Sequence, residues 1–335
     1  MKKACFYETL PNDNVKCSLC AHRCTIAIGK RGLCGVRENQ DGVLMSLVYG
    51  SVCSTQVDPI EKKPLFHFKP ASRTFSIATV GCNFKCLHCQ NSSISQYPRE
   101  HDGAVTGYPV AAESIVAAAI AERCESISYT YTEPTIFYEF ALDCAVLAAE
   151  KGLKNIFVSN GFMTPESAEV IIPYLHGNNI DLKGDDGFYK EICGGNVEPV
   201  KDTIRLMKEG GVWVEVTTLV IPGLNDSEQV LRGIAEFIAS VDASIPWHVS
   251  RFYGTYKMTD RPGTPVETLK RACEIGYESG LKFVYQGNVP GLGGENTSCP
   301  TCKKLLIKRD RFTVISNAVK NGNCPSCGSA VAGVW

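Results

Sequence analysis

Between residues 71 and 290 short apolar runs alternate with helix-patterned stretches, and this alternation leaves few folds open to the chain. Phe75–Val80, Ser126–Tyr131, Asn155–Ser159, Asn179–Leu182, Val212–Ile221, Trp247–Phe252 and Lys282–Gln286 read as strands. Ala111–Ala121, Ile136–Lys151, Pro165–Leu175, Val200–Glu209, Ser227–Ser240 and Pro265–Ser279 read as the helices between them. Such alternation predicts parallel strands joined by helical crossovers. Thr164 ahead of Pro165, and Asp226-Ser227-Glu228, are helix starts. Gly152, Gly210 and Gly280 stand where helices should end.

An open doubly wound sheet would alternate in the same way. The placement of polar motifs favours a barrel. Six strands are each followed by one: the Cys82 loop, Thr132-Glu133-Pro134, Ser159-Asn160-Gly161, Asp181-Leu182-Lys183-Gly184, Ile221-Pro222-Gly223 and Arg251-Phe252-Tyr253-Gly254. A parallel barrel gathers its chemistry at the C-terminal strand ends in this way, whereas an open sheet concentrates it at one switch point. The expectation is an α/β core over residues 71–290, a cysteine-rich amino-terminal module over 1–70 and a small carboxy-terminal module over 291–335.

Cysteine usage carries the chemistry. The chain of 335 residues has 17 cysteines, and eleven of them fall into three tight groups. Its start, Met1 to Glu8, has no apolar export core, so a cytoplasmic location is expected and a disulfide framework is not. Clustered cysteines in that setting point to metal. Gly81-Cys82-Asn83-Phe84-Lys85-Cys86-Leu87-His88-Cys89 is a C-x3-C-x2-C loop. Three thiolates there can hold three irons of a [4Fe–4S] cluster and leave the fourth open to a small molecule. A structural zinc site would close with a fourth ligand. The formal net charge is −1 and no basic block occurs, which gives no reason to expect nucleic acid. No apolar run is long enough to suggest a transmembrane helix.

Cys299-Pro300-Thr301-Cys302 and Cys324-Pro325-Ser326-Cys327 form a pair of knuckles suited to a closed tetrahedral zinc site, with rubredoxin-like iron as the alternative. So small a segment would draw its folding energy from the metal. Cys17, Cys20, Cys24 and Cys34 could close around zinc, which the reading favours, or hold another iron–sulfur cluster. Cys124, Cys144 and Cys273 lie in helical patterns and read as small buried side chains.

Taken together, these motifs resemble the radical SAM superfamily, and within it the glycyl-radical-activase-like branch. The nearest resemblance is to the radical SAM member of the AmmeMemoRadiSam system, carried also by Val57-Asp58-Pro59-Ile60-Glu61-Lys62-Lys63-Pro64-Leu65-Phe66-His67 and the closing Gly333-Val334-Trp335. The resemblance implies a partial (β/α)6 TIM-like barrel with a zinc-ribbon-like tail, a [4Fe–4S] cluster on Cys82, Cys86 and Cys89, and S-adenosylmethionine. It implies an anaerobic oxidoreductase-type enzyme in which an electron from the cluster cleaves the cofactor to a 5′-deoxyadenosyl radical, which abstracts a substrate hydrogen. The electron donor would be a flavodoxin or ferredoxin, and Memo-like and AMMECR1-like proteins would be partners.

The same resemblance assigns cofactor contacts. Thr132 and Glu133 occupy the place of a Gly-Gly-Glu-Pro loop, without its glycines. Ser159 and Asn160 would lie near the ribose or carboxylate, and Asp181 with Lys183 would reach the cofactor. His88 stands where an aromatic usually packs near adenine. Arg251 could bind a carboxylate through both nitrogens, and Tyr253 could replace a ribose-contacting histidine. Two rival readings are an activase that installs a glycyl radical on a partner enzyme, and a non-catalytic iron–sulfur or zinc scaffold.

Overall fold

The computed structural model describes residues 1–289, 291 and 293–335. Its centre is an eight-stranded sheet: β1 (Ser54–Pro59), β2 (Arg73–Ala78), β3 (Ser126–Tyr129), β4 (Lys154–Ser159), β5 (Gly177–Asp181), β6 (Trp213–Val220), β7 (Trp247–Arg251) and β8 (Val284–Gly287). The strands lie side by side in chain order. β2 to β8 run parallel, and β1 pairs antiparallel with β2 from Ser54↔Ala78 to Pro59↔Arg73. The sheet therefore reaches back across residue 70, into the segment that composition assigns to the amino-terminal module.

Six main helices return the chain between parallel strands: α1 (Ala112–Ala121), α2 (Tyr138–Glu150), α3 (Pro165–Ile171), α4 (Glu198–Glu209), α5 (Glu228–Asp242) and α6 (Val266–Glu278). Their starts follow from local chemistry. The Thr164 hydroxyl accepts from Ser167 N–H, Ser167 answers with its own side chain, and Pro165 occupies the first turn. Ser227 caps α5 through Val230 N–H at 3.3 Å. Gly152 and Gly280 take left-handed φ values of 77° and 95° just beyond their helices. After α4 that role falls to Gly211 at 80°, one residue later than the sequence suggests. No helix among the described residues is long and apolar enough to cross a membrane.

The helix-facing side of the sheet is aliphatic and aromatic, with Ile127, Tyr129, Phe157, Val214, Val216, Trp247 and Val249 buried in one continuous core. The other side is unusually polar for so buried a surface. Thr74 and Ser128 hydroxyls meet at 2.6 Å, Ser76 donates to Asp58 at 2.8 Å, and Thr217 donates to Asn179 at 3.0 Å. Strand alternation delivers both faces from one sequence.

The terminal modules close over this core. The carboxy-terminal residues form a three-stranded antiparallel sheet (Thr297–Ser298, Leu305–Asp310, Thr313–Asn317). Its tail returns to the amino-terminal half: Val334 N–H donates to His67 O at 2.7 Å, and Trp335 packs 5.6 Å from the His67 ring. Short antiparallel sheets carry Cys17, and the loop after Leu19 lies on the core, with Thr164 Oγ1 donating to Ser18 O at 2.7 Å.

Candidate active site

A cavity of about 560 Å³ opens against the polar side of the sheet. Strand register fills it in rows: Asp181 lies beside Thr217 and Thr217 beside His248, while Leu219 lies beside Ser250 and Ser250 beside Gly287. Cys82, Cys86, Cys89 and His88 from the loop after β2 also line it. So do Thr132, Glu133, Ser159, Asn160, Asp181 and Lys183. Arg251 and Tyr253 do not line the cavity, where β7 instead presents His248 and Ser250. Alternation explains the difference, since Arg251 has the opposite parity; its guanidinium sits over the Tyr253 ring at 5.1 Å, and Tyr253 is exposed.

The cysteine loop is held from several directions. Phe84 N–H donates to Cys82 Sγ at 3.4 Å, and Asn160 Nδ2 lies 3.8 Å from the same sulfur while donating to Asn83 Oδ1 at 2.7 Å. Ser95 Oγ sits 3.0 Å from Cys89 Sγ. Arg99 clasps Cys82 O and Phe84 O, each at 2.8 Å. Among the described residues no three of the loop's sulfurs and neighbouring ligand atoms lie within 4.8 Å of one another, unlike those of Cys299, Cys302, Cys324 and Cys327.

Glu133 is buried and fully occupied. Its carboxylate accepts from Thr135 N–H at 3.0 Å, Thr135 Oγ1 at 2.6 Å, Ser159 Oγ at 2.8 Å and Asn160 N–H at 2.7 Å. Burial pushes its carboxyl up, against the pull of those donors. Thr132 Oγ1 donates to Thr79 O at 2.8 Å. Between Thr130 and Thr132, Tyr131 holds a φ of 63°, a glycine-like conformation reached without glycine. Its hydroxyl bonds Asp58, and Lys63 Nζ lies 4.4 Å over its ring. Asp58 also pairs with Lys62 at 2.8 Å and with buried Lys63 at 2.7 Å. Burial lowers Lys63 to about 8. Lys62 and Lys63 both line the cavity, whereas His67 lies beneath it against Tyr285 and Ala332.

On the opposite wall Lys183 Nζ pairs with Asp181 at 2.6 Å. Burial opposes its charge, but Asp181 and the neighbouring Cys86 and Cys193 hold its pKa above the ordinary lysine value. His88 is buried 5.8 Å from Phe188, and its Nδ1 has no partner. Burial and the nearby Lys183 depress it to about 3, so the ring is neutral near neutral pH.

One neighbour of the loop escapes sequence reasoning. Cys193 ends a π-helical turn, Tyr189–Cys193, and its carbonyl accepts from Lys85 N–H at 2.9 Å. Its thiol stands beside Cys86 and, with burial, pushes that thiol up. Cys193 is not among the residues that line the cavity.

The flanking cysteine groups differ in geometry. Cys299, Cys302, Cys324 and Cys327 bring their four sulfurs within 4.8 Å of one another, with Cys299–Cys327 and Cys302–Cys324 each at 3.7 Å. Tetrahedral zinc with Zn–S near 2.3 Å demands a separation of about 3.8 Å. Cys17, Cys20, Cys24 and Cys34 converge more loosely, and no three of them meet within 4.8 Å.

The model of the family described as "Radical SAM superfamily" matches residues 76–232. An uncharacterized protein of Methanocaldococcus jannaschii is 46% identical over 334 residues, covering 99% of either chain. A second protein of that organism, provisionally named a glycyl-radical enzyme activating enzyme, is 28% identical over 52% of this chain and 71% of its own. Among solved structures, Streptococcus suis SuiB bound to S-adenosylmethionine superposes with a TM-score of 0.50 at 14% identity. That match covers 68% of this chain and 53% of SuiB, a likeness of fold.

Proposed function

The chain belongs to the radical SAM superfamily, and from that premise we propose that Cys82, Cys86 and Cys89 hold a [4Fe–4S] cluster beside a bound S-adenosylmethionine. When bound, the cluster supplies the electron that breaks the cofactor's sulfonium bond, generating a 5′-deoxyadenosyl radical for hydrogen abstraction. The observation that carries the reading is the convergence of that loop with Glu133, Asn160, Asp181 and Lys183 on one cavity.

The residues present suit such a group. Cys82 sulfur already receives a backbone donor, and Ser95 Oγ lies beside Cys89 sulfur, contacts that suit thiolate ligands. His88 Nδ1 and Asn83 Nδ2 are buried without partners beside the loop, and a ligand there would satisfy them. Glu133 acts by fixing the Ser159-Asn160 turn, which in turn orients Asn160 toward Cys82. Lys183, with Asp181 as its anchor, offers its remaining donors to the cofactor's carboxylate. Neutral His88 provides a flat, uncharged surface for the adenine. Lys62, Lys63, Thr217, His248 and Ser250 also line the cavity and remain for the substrate.

The substrate belongs, on this reading, to a system that also uses Memo-like and AMMECR1-like proteins in a reducing cytoplasm. A small iron–sulfur or flavin protein supplies the electron. The 3.7 Å sulfur separations of Cys299, Cys302, Cys324 and Cys327 support one tetrahedral ion, taken as zinc with rubredoxin-like iron as the alternative. Partial similarity to a protein provisionally named a glycyl-radical enzyme activating enzyme favours one second reading, an activase. The two part on the product. Incubation with cofactor, reductant and Memo-like and AMMECR1-like proteins should consume a small molecule. A stable radical appearing on a captured partner protein would establish the activase instead.

A further inference from the structure

We infer that Cys17, Cys20, Cys24 and Cys34 hold a second four-iron cluster that relays electrons to the Cys82 loop, the receiving site resting on the function proposed above.

The carboxy-terminal thiols stand at 3.7 Å pairs, as one tetrahedral ion requires. Among the amino-terminal four no three sulfurs fall within 4.8 Å of one another, looser than one tetrahedral ion requires. A four-iron cube spreads its thiolate ligands farther apart than a single ion does, because iron atoms and bridging sulfides lie between them. The three sulfurs of the Cys82 loop are likewise not all within 4.8 Å of one another.

A buried cation stands beside this group of thiols. Arg37, which is 2% exposed, places Nη1 3.9 Å from Cys17 Sγ. Its guanidinium pairs with Glu139 and donates to Cys5 O at 3.0 Å, yet its Nε has no partner. A zinc tetrathiolate offers no acceptor beyond its four thiolates. A cluster adds bridging sulfides, and a donor aimed at them raises the reduction potential.

The two cysteine sites share one hydrogen-bonded frame. Arg99 Nη2 donates to Leu33 O at 2.6 Å and to Cys82 O at 2.8 Å, linking the residue before Cys34 to a loop cysteine. His22 Nε2 donates to Asn83 O at 2.9 Å; a carbonyl only accepts, so that nitrogen carries the proton. Gly81 has a φ of 101°, and a Cβ there would lie 3.2 Å from Cys34 O and 2.7 Å from Val36 Cγ1. Only glycine admits this approach of one cysteine loop to the other.

The redox step balances simply. A one-electron carrier protein, iron–sulfur or flavin, reduces the amino-terminal cluster and is itself oxidised by one electron. That electron then passes to the loop cluster, restoring the first to its oxidised state. No bond is made and no proton moves.

The test is metal content and magnetic resonance on anaerobically reconstituted full-length protein. Wild type should carry about eight irons per chain, and the combined Cys82→Ala, Cys86→Ala, Cys89→Ala variant about four, with a reducible cluster signal. Cys17→Ala with Cys20→Ala should also leave about four, now with a signal that S-adenosylmethionine perturbs. Spin–spin broadening should appear only in fully reduced wild type. Zinc in place of iron in the loop variant would overturn the inference, and that variant decides the matter even if the amino-terminal one does not fold. Iron retained there, with no wild-type signal perturbed by the cofactor, would sink the radical SAM assignment of the loop while leaving this site standing.

Discussion

At the residue scale the account turns on groups that touch sulfur or flank it. Lys183 combines burial, a 2.6 Å pair with Asp181 and a position against Cys86. Lys183→Met keeps the aliphatic stem and removes the donors, and should weaken cofactor binding about tenfold or more. Equilibrium dialysis of the reconstituted variant measures this, and unchanged affinity would place Lys183 in a purely structural pair. Sequence made Lys183 visible because Asp-x-Lys puts two charged side chains on one strand face. It also named Arg251 and Tyr253 as cofactor contacts, whereas the cavity is lined from β7 by His248 and Ser250, the residues of inward parity. Cys193 could not be found at all. Its closeness to Cys86 depends on a π-helical turn folding back on a loop about a hundred residues earlier, and no local pattern encodes that.

The elements were far more legible. Seven apolar runs became seven parallel strands, since strand length, β-branched content and flanking turns agree at each. Less visible was β1, whose Ser54–Pro59 reads as polar and ends in proline. It survives as an edge strand, where one row of backbone groups needs no partner. The α3 start couples an element to the amino-terminal module, because Thr164 both caps the helix and holds Ser18 O at 2.7 Å. Thr164→Ala should therefore cost about 1–2 kcal/mol in urea unfolding and hasten proteolysis before Cys20. A loss of only a few tenths would mean the second bond carries nothing. In the carboxy-terminal module, Cys324→Ala should lower zinc by about one atom per chain and expose the tail to protease. Loss of the loop cluster's absorption in that variant would contradict independent metal sites.

At the scale of the whole molecule, a buried polar chain joins the tail to the sheet. His67 Nδ1 donates to Ala332 O at 2.7 Å, so its Nε2 accepts from Tyr285 at 2.5 Å, and Tyr285 in turn meets Thr297 at 2.8 Å. Glu215 is held below the usual carboxylate range by His248, despite burial, and accepts from Phe66 and His67 N–H groups. Burial depresses His67 to about 4. Between that value and about 6.5 the unfolded chain binds a proton that the folded chain refuses, so stability falls as pH falls through this window. His67→Asn should flatten the pH slope of denaturant unfolding between pH 6.5 and 4, and an unchanged slope would assign acid lability to other groups.

The central claim is that the Cys82, Cys86, Cys89 loop presents S-adenosylmethionine with an electron. Anaerobic chromatography of a reaction containing reconstituted protein, the cofactor and a strong one-electron reductant tests it most directly. The account predicts methionine and 5′-deoxyadenosine from wild type and neither from Cys86→Ala. Quantitative recovery of intact cofactor from wild type, with its loop cluster demonstrably reduced, would contradict it.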